Sequence, residues 1–350
     1  MAVNVGDLIT DTDYNNMRTT VQSVLGAPVG THGSPSTNLG YGQPLESSTV
    51  SNGATVTADD LNKLYLDIYA CKLHQVGGTG FTVQEVSAGN IIGADASGAS
   101  ISNLNLSQQG VNDFINESDQ IFTDRDDKDT GYMQALAANT RSRTTSWGYG
   151  GLTTITHVIS VSFGGQTKSA DSGNTQVLTA ADHYRAFFNT GGEIRWYGSR
   201  SGGASHTKNT DWTNLFADLG TVKIDRDSVT VTGNTTNTTV LSAGGFELST
   251  TYQDIIVRTG ANYSVNNLTL AAKVNSNTNP TVVTMRLQLT DTDDDYGGAT
   301  FDDGYVEPAV DPSVDGTLSS NTQIYLAQDS NNIIEITAPT VNTNVSGTDL

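Results

Sequence analysis

The sequence predicts an α+β fold in which repeated amphipathic helices at the N-terminus are followed by β-rich, sandwich-like domains with a few short helices. Helical periodicity is confined to a few segments, and runs of alternating β-branched residues dominate after about residue 147. Charged residues make up only 15% of the chain, while glycine alone contributes 36 residues. This composition is typical of β-rich assemblies rather than of enzymes with charged helical surfaces.

Two similar segments near the N-terminus predict a pair of helices. Gly6–Met17 aligns with Gly53–Leu64, and in each copy a Thr is followed three residues later by Asp, a variant of the capping box. Apolar residues then recur on one helical face, which predicts helices at about 10–25 and 57–74. The residues expected to pack these helices on each other, or on another copy of the chain, are Tyr14, Met17, Val21, Leu61, Leu64 and Ile68.

Shorter helices are expected further along the chain. The clearest is capped by Thr179 and Asp182 and ends at Gly191-Gly192. The expected segments are about 107–118, 133–139, 179–189 and 210–219.

Strands are predicted from the alternation of apolar and polar residues after residue 147. Leu268–Val274 and Val282–Leu289 alternate most regularly, which indicates strands with one buried face. The other expected strands are 153–163, 193–197, 229–232, 254–258, 324–326 and 333–336.

Four consecutive parts follow from these patterns. They are a helical docking region at 1–75, a linker with one helix at 76–146, an α+β domain at 147–225, and a sandwich-like domain at 226–350.

The charge balance and the cysteine content exclude several classes of protein. The net charge of −20 argues against nucleic acid or an anionic membrane surface as the main partner. Cys71 is the only cysteine, so no intrachain disulfide forms, and its place on an apolar helical stripe predicts a buried thiol. No apolar run is long enough to span a bilayer, and the first residues do not resemble a secretory signal.

An acidic cluster is the best candidate for a metal site. Asp291, Asp293 and Asp295 match the first three ligand positions of a calcium loop. The match then fails, because Tyr296 stands where glycine is needed and Asp302 stands where glutamate is usual. The alternative interpretation is a solvated hairpin loop. Calcium is therefore a candidate ligand at Asp291, Asp293, Asp295 and Asp302, and no other cofactor is expected.

A second candidate site combines aromatic and basic residues. Arg195, Trp196, Tyr197 and Arg200 precede a Ser/Gly-rich loop and are a candidate sugar-stacking patch. Core packing or contact between subunits are the alternative uses of these residues.

Catalytic constellations are not apparent in the sequence. His183 follows a helix cap and is expected to cap or pack, and His157 lies in a strand pattern. Asp182 and Glu193 are the pair of carboxylates considered for a glycan hydrolase, although nothing in the sequence brings them into one cleft.

Several motifs, in order along most of the chain, resemble a family of virion structural proteins from contractile-tailed phages of marine cyanobacteria and related marine bacteria. The pattern at 182–195 followed by 209–215 is the most specific part. The resemblance implies a particle component without enzymatic activity. The motifs are Val3–Thr10, Gly40–Gln43, Thr57–Asn62, Arg143–Trp147, Asp182–Arg195, Asn209–Leu215 and Val314–Leu318.

Three functions are weighed. The first is a structural protein of the tail, baseplate or neck, located in the virion and made in the host cytoplasm. Its expected partners are copies of itself, as a trimer or hexamer, and other virion proteins, without nucleic acid or membrane. The second is a receptor-binding fibre that recognises host surface polysaccharide. The third is a hydrolase of envelope glycans.

Overall fold

The fold is α+β, as the sequence predicts. The computed structural model describes residues 9–77, 86–87, 111–148, 152–241, 243–292, 313–328 and 334–346. Contacts divide the chain into two compact units that are discontinuous in sequence. The first unit contains residues 1–134, 164–192 and 326–338, and the second contains 135–163, 193–325 and 339–350. These units cut across the four consecutive parts derived from the sequence, which stay a prediction.

Three helices build the core of the first unit. They are α1 (Asp11–Leu25), α2 (Ala58–Val76) and α3 (Val111–Thr123), and each contacts the other two. The stripes of α1 and α2 are buried, and α3 adds Phe114, Ile115 and Ile121. The two repeated helices therefore form where the sequence predicts them, while α3 extends beyond residue 118, its expected end.

Capping boxes fix the start of three helices in the same way. The Thr10 hydroxyl accepts from the Asp13 amide at 3.1 Å, and the Asp13 carboxylate accepts from the Thr10 amide at 3.1 Å. Thr57 and Asp60 repeat this geometry at the start of α2. The third box starts α4 (Ala180–Asn189), with Thr179 and Asp182 as its members. All three boxes confirm the capping predicted from the sequence.

The rest of the first unit is made of short elements. A hairpin of β4 (Gln166–Ser169) and β5 (Thr175–Leu178) precedes α4. The helix predicted at 133–139 is wrong, because a 3-10 turn and the strand β1 (Met133–Ala135) occupy its start. The strand predicted at 333–336 is also wrong where it is described, since Glu335 forms only an isolated bridge with Gln328.

Two antiparallel sheets and one helix form the part of the second unit that the structure describes. The elements are β2 (Asn139–Arg143), β3 (Thr154–Ser162), β6 (Glu193–Ser201), α5 (Thr207–Leu219), β7 (Val222–Ile224), β8 (Val229–Val231), β9 (Thr238–Val240), β10 (Gln253–Thr259), β11 (Asn267–Val274), β12 (Val282–Thr290), β13 (Thr317–Ala327) and β14 (Thr340–Ser346). In the first sheet β13 pairs with β2 and β6, and the order continues to β7 and β8. The second sheet has the order β14-β3-β12-β11-β10-β9. Helix α5 contacts β6 of the first sheet and β10 of the second.

The centre of the second sheet follows the predicted alternation. β12 pairs with β3 and β11 in continuous antiparallel register. The inward residues Val283, Met285, Leu287 and Leu289 are all buried. Because side chains alternate between the two faces of a strand, this period-two pattern specifies the register as well as the strand.

A hydrogen-bonded chain joins the two sheets. The Trp196 indole on β6 donates to the Ser320 hydroxyl on β13 at 2.9 Å. That hydroxyl lies 3.0 Å from Nδ1 of His157 on β3, and Nε2 of His157 lies 2.9 Å from the Thr343 carbonyl. A neutral imidazole protonated at Nε2 satisfies every member, with the Ser320 hydroxyl donating to Nδ1. His157 is thus a packed strand residue whose hydrogen bond to Ser320 connects β3 of one sheet to β13 of the other.

Candidate functional site

A polar cleft of about 210 Å³ lies in the second unit, between α5, the turn before β9 and the end of β10. Its walls present carboxylates, amides, hydroxyls and one guanidinium beside the apolar side chains of Leu215 and Ala261. The lining residues are Asp211, Asn214, Leu215, Asp218, Asn234, Thr236, Asn237, Arg258, Thr259 and Ala261.

Arg258 forms one side of the cleft floor. The residue is 5% exposed. Its Nη1 donates to the Asn234 carbonyl and to the Thr238 hydroxyl, both at 2.7 Å, and Nη2 lies 3.2 Å from the Asp218 carboxylate. Nε of Arg258 has no hydrogen-bond partner among the described residues. The guanidinium is therefore held in place with one donor unused.

Asp211 forms the other side of the floor and is 2% exposed. Its Oδ1 accepts from the amides of Ala261 and Asn262 at 3.2 and 3.0 Å. Its Oδ2 has no partner in the part of the chain that the structure describes. Buried polar atoms are nearly always paired with protein, water or ligand. The floor thus combines one unused acceptor with one unused donor.

The rim of the cleft has a fixed backbone. Asn237 adopts a left-handed conformation with φ of 58°, which asparagine tolerates better than most residues. The Asn234 side chain accepts from the Thr236 amide at 2.8 Å and closes a tight turn. Asn214, Asn234 and Asn237 are exposed, so their amide groups line a preformed opening rather than the core.

A buried ion pair involves α5, the helix that also carries Asp211. Nζ of Lys208 on α5 is 3.4 Å from Oδ1 of Asp291, which directly follows β12. The side chains are 2% and 0% exposed. The ring centroid of Tyr263 lies 5.9 Å from the same ammonium group. Burial of both charges makes this pair costly to separate.

The predicted calcium site is only partly described. Asp291 faces the core and has Lys208 as its ion-pair partner. Asp293, Asp295 and Asp302 lie outside the described residues. Within the described ranges, no group of three or more metal-ligating side chains comes together. The calcium site therefore stays a prediction.

The predicted sugar-stacking patch does not form one exposed surface. Trp196 is buried, and Arg200 is buried with an ion pair to Asp315 at 3.3 Å. Arg195 pairs with Glu193 at 2.7 Å and its guanidinium lies over the Tyr325 ring at 3.8 Å.

Strand alternation explains this outcome, because neighbouring residues of β6 point to opposite faces. Trp196 and Arg200 occupy the buried face, whereas Arg195 and the half-buried Tyr197 occupy the other. The interpretation of the four residues as a single patch is wrong, and core packing, the alternative considered, describes Trp196.

The predicted helix-packing residues lie inside the first unit. All six, from Tyr14 to Ile68, are at most 6% exposed. The Tyr14 hydroxyl lies 3.1 Å from the Ser48 carbonyl and 3.2 Å from the Asp60 carbonyl. The two stripes therefore pack within the chain, and assembly with another copy stays a prediction.

The two carboxylates considered for hydrolysis both have structural partners. Asp182 closes the capping box of α4, and Glu193 pairs with Arg195. His183 is buried, with Nδ1 2.9 Å from the Gly164 carbonyl and Nε2 2.8 Å from the Thr337 carbonyl. Burial lowers the pKa of His183, while the two carbonyl groups oppose this shift. Its predicted packing role is confirmed.

Three other buried groups of the first unit titrate away from their usual range. Burial lowers the pKa of His74 to about 4 and that of Lys168 to about 8. Burial raises the pKa of Asp67 to about 6. Nothing in the sequence singles out these groups, because their burial follows from contacts with distant segments.

Local sequence patterns do not predict the cleft, because its floor joins residues from α5 and β10.

Comparison of the chain with protein-family models, with curated proteins and with solved structures finds no match. None of the described helices is long and apolar enough to cross a bilayer.

Proposed function

We propose that the chain is a non-enzymatic structural protein of a phage virion, in the tail, baseplate, neck or an attached fibre, and that it assembles as a trimer or hexamer. One observation supports the proposal: three of the motifs that resemble the phage structural family lie together in the fold. Segments 143–147, 209–215 and 314–318 meet within the second unit and hold it together.

Named contacts make up this convergence, which we call the motif cluster. The rings of Trp147 and Trp212 pack edge-on, with centroids 4.8 Å apart. The backbones of Trp147 and Val314 exchange hydrogen bonds of 3.0 and 2.8 Å. The side chain of Asn209 donates to the Asp315 carboxylate and accepts from the Asp315 amide at 3.1 Å. The residues that carry the resemblance thus serve packing and hydrogen bonding.

The composition also supports a particle component. A net charge of −20 disfavours adhesion to packaged DNA. Small neutral polar side chains provide solubility without the long charged side chains that oppose close subunit packing.

Particle fractionation tests the proposal. We expect the protein in purified phage particles at a fixed ratio to the major tail proteins. Antibodies against residues 150–350 should label the tail, neck or baseplate in negative stain, and pre-absorption with the purified chain should remove the label. Absence from washed particles would contradict the proposal.

The polar cleft favours receptor binding as a second candidate function. Its lining includes Asp211 and Arg258, which carry an acceptor and a donor without a hydrogen-bond partner among the described residues, and its rim offers exposed amides. Sugar hydroxyls donate and accept at once, so a host polysaccharide matches this arrangement. The proposed ligand therefore contacts the cleft and not the residues 195–200 of β6.

Variants of the rim test this second function. We expect Asn214→Ala with Thr236→Ala to weaken binding of the chain to isolated host envelope polysaccharide, measured by titration calorimetry. Thr239→Ala is the control, because Thr239 is exposed on β9 and does not line the cleft. Equal binding by both variants and the unaltered chain would exclude the cleft as the receptor site.

A further inference from the structure

The ion pair between Lys208 and Asp291 brings together an amino group and a carboxyl group, the two groups that condense to form an amide bond. We propose that Nζ of Lys208 and Cγ of Asp291 become joined by an intramolecular isopeptide bond after the second unit folds. The two side chains already touch, with 3.4 Å between Nζ and Oδ1, and are 2% and 0% exposed. The inference does not depend on the proposed function.

Burial prepares both groups for reaction. Water stabilises ammonium and carboxylate groups, and its exclusion favours the neutral amine and the neutral acid over the charged pair. Transfer of one proton from Nζ to the carboxylate produces this neutral pair without any outside reactant. A neutral amine is a nucleophile, and a protonated carboxyl group is an acceptor for it.

Aromatic and backbone groups exclude water from the pair. Tyr263 lies 5.9 Å from Nζ, and Trp212 is one helical turn after Lys208 on the same side of α5. Gly148 adjoins the carboxylate so closely that an added Cβ would lie 2.7 Å from Oδ2 of Asp291. Trp147, the neighbour of Gly148, packs on Trp212. The pair is therefore enclosed from both the helix and the sheet.

A second carboxylate on α5 is suited to carry protons. Asp211 lies three residues after Lys208, which places both side chains on one helical face. Asp211 is 2% exposed, and its Oδ2 has no hydrogen-bond partner among the described residues. Its Oδ1 is fixed by two backbone amides of the loop that leads to Tyr263. The same loop therefore contacts Asp211 through its amides and approaches Nζ of Lys208 through the ring of Tyr263.

The reaction balances within the chain. The Nζ lone pair attacks Cγ of the protonated Asp291, and the π electrons of the C=O bond move to oxygen. Asp211 takes a proton from nitrogen and delivers a proton to the hydroxyl group, which leaves as water while the C=O bond re-forms. One C–N bond forms, one C–O bond breaks, and no oxidant or reductant is consumed.

Intact-mass spectrometry of the full purified chain tests the bond. We expect a mass lower than that of the sequence by one water, and a cross-linked peptide pair containing Lys208 and Asp291 after digestion. A full-length mass equal to the sequence mass, after prolonged incubation of the folded protein, would overturn the proposal.

Substitutions give the chemistry a distinct readout. Asp291→Asn should give a product of the same mass as the cross-linked parent chain, because its amide loses ammonia instead of water. Lys208→Met should show the full mass of its own sequence. Lys72→Met is the matched control: Lys72 forms another largely buried ion pair, with Glu117 at 2.6 Å, and its loss should leave the mass deficit intact.

The role of Asp211 is separable from the bond itself. Asp211→Asn should lower the fraction of cross-linked chain in freshly folded protein, and longer incubation should raise it. An unchanged rate in this variant would overturn the assignment of Asp211 as the proton carrier, while loss of the mass deficit only in the Lys208 and Asp291→Ala variants would support the bond.

Discussion

The rings of Trp147 and Trp212 pack edge-on at 4.8 Å, although the two residues belong to segments far apart in sequence. Trp212 is fully buried on α5, and Trp147 also joins the 314 segment through backbone hydrogen bonds. Edge-on aromatic pairs contribute beyond the area that they bury. This pair is therefore central to the motif cluster, and its truncation should destabilise the fold.

Truncating the buried indole should destabilise the protein strongly. We expect Trp212→Ala to lower the free energy of unfolding by about 4 kcal/mol, because loss of a buried aromatic side chain leaves a cavity. Urea titration followed by circular dichroism measures the change. Leu66→Ala is the control, since Leu66 is 38% exposed and should lose well under about 1 kcal/mol. Equal losses in both variants would refute the central role of the pair.

Removal of a capping hydroxyl should lower the free energy of unfolding by a smaller amount. Thr57→Ala removes the acceptor of the Asp60 amide and the donor to its carboxylate, whose oxygen lies 2.6 Å from the Thr57 hydroxyl. We expect a loss of about 1 kcal/mol in the free energy of unfolding. Thr55→Ala, two residues earlier and exposed, is the matched control and should change stability little. A loss as large in the control would show that the cap itself contributes nothing.

The sequence alone predicts the capping box but does not predict the contact between the two tryptophans. The boxes and the alternating strands are local patterns of three to nine residues, so neighbouring residues suffice to predict them. The contact between Trp147 and Trp212 depends on pairing between distant segments, which local patterns do not contain. The polar composition of short strands such as β4 and β9 also hides them from periodicity.

Two wrong predictions have physical explanations. Residues 133–139 are rich in good helix formers, yet residues 133–135 pair as a strand, so tertiary context overrides propensity. Closeness in sequence suggests that residues 195–197 and 200 share one surface, whereas alternation along β6 places them on opposite faces. The cleft depends on Asp211 and Arg258, which only the folded chain brings together.

The glycine beside the cleft floor should not tolerate a side chain. A Cβ on Gly260 would lie 2.2 Å from Oδ2 of Asp211 and 2.7 Å from the Tyr263 carbonyl. We expect Gly260→Ala to lower the free energy of unfolding by about 2 kcal/mol through overpacking. Gly164→Ala is the control, because no atom lies within 4 Å of its added Cβ. Thermal unfolding of both variants decides the matter, and an unaffected Gly260→Ala would contradict the described floor geometry.

The contribution of His74 to stability should be lost in mild acid, while Asp67, whose pKa burial raises, contributes in the opposite direction. Burial lowers the pKa of His74 in the folded chain to about 4, from an ordinary value of 6.5. Between these values the unfolded chain binds a proton that the folded chain rejects, so stability is complete above about pH 6.5 and is lost as the pH falls towards 4. The shift corresponds to about 3 kcal/mol. Urea titrations at about pH 7 and about pH 4.5 measure the difference.

The variant His74→Phe isolates this group, because phenylalanine keeps a ring against Tyr41, whose centroid is 5.0 Å from that of His74. We expect the free energy of unfolding of this variant to vary with pH over this range by about 3 kcal/mol less than that of the parent chain, since the shifted imidazole is absent. His206→Asn is the comparison, since desolvation also lowers the pKa of His206, although its side chain is 19% exposed and asparagine preserves its capping role at α5. This variant should retain more of the acid sensitivity of the parent chain than His74→Phe does. If His74→Phe keeps the same pH dependence of the free energy of unfolding, other groups cause that dependence. The burial of a neutral imidazole beside Tyr41 is then not responsible for it.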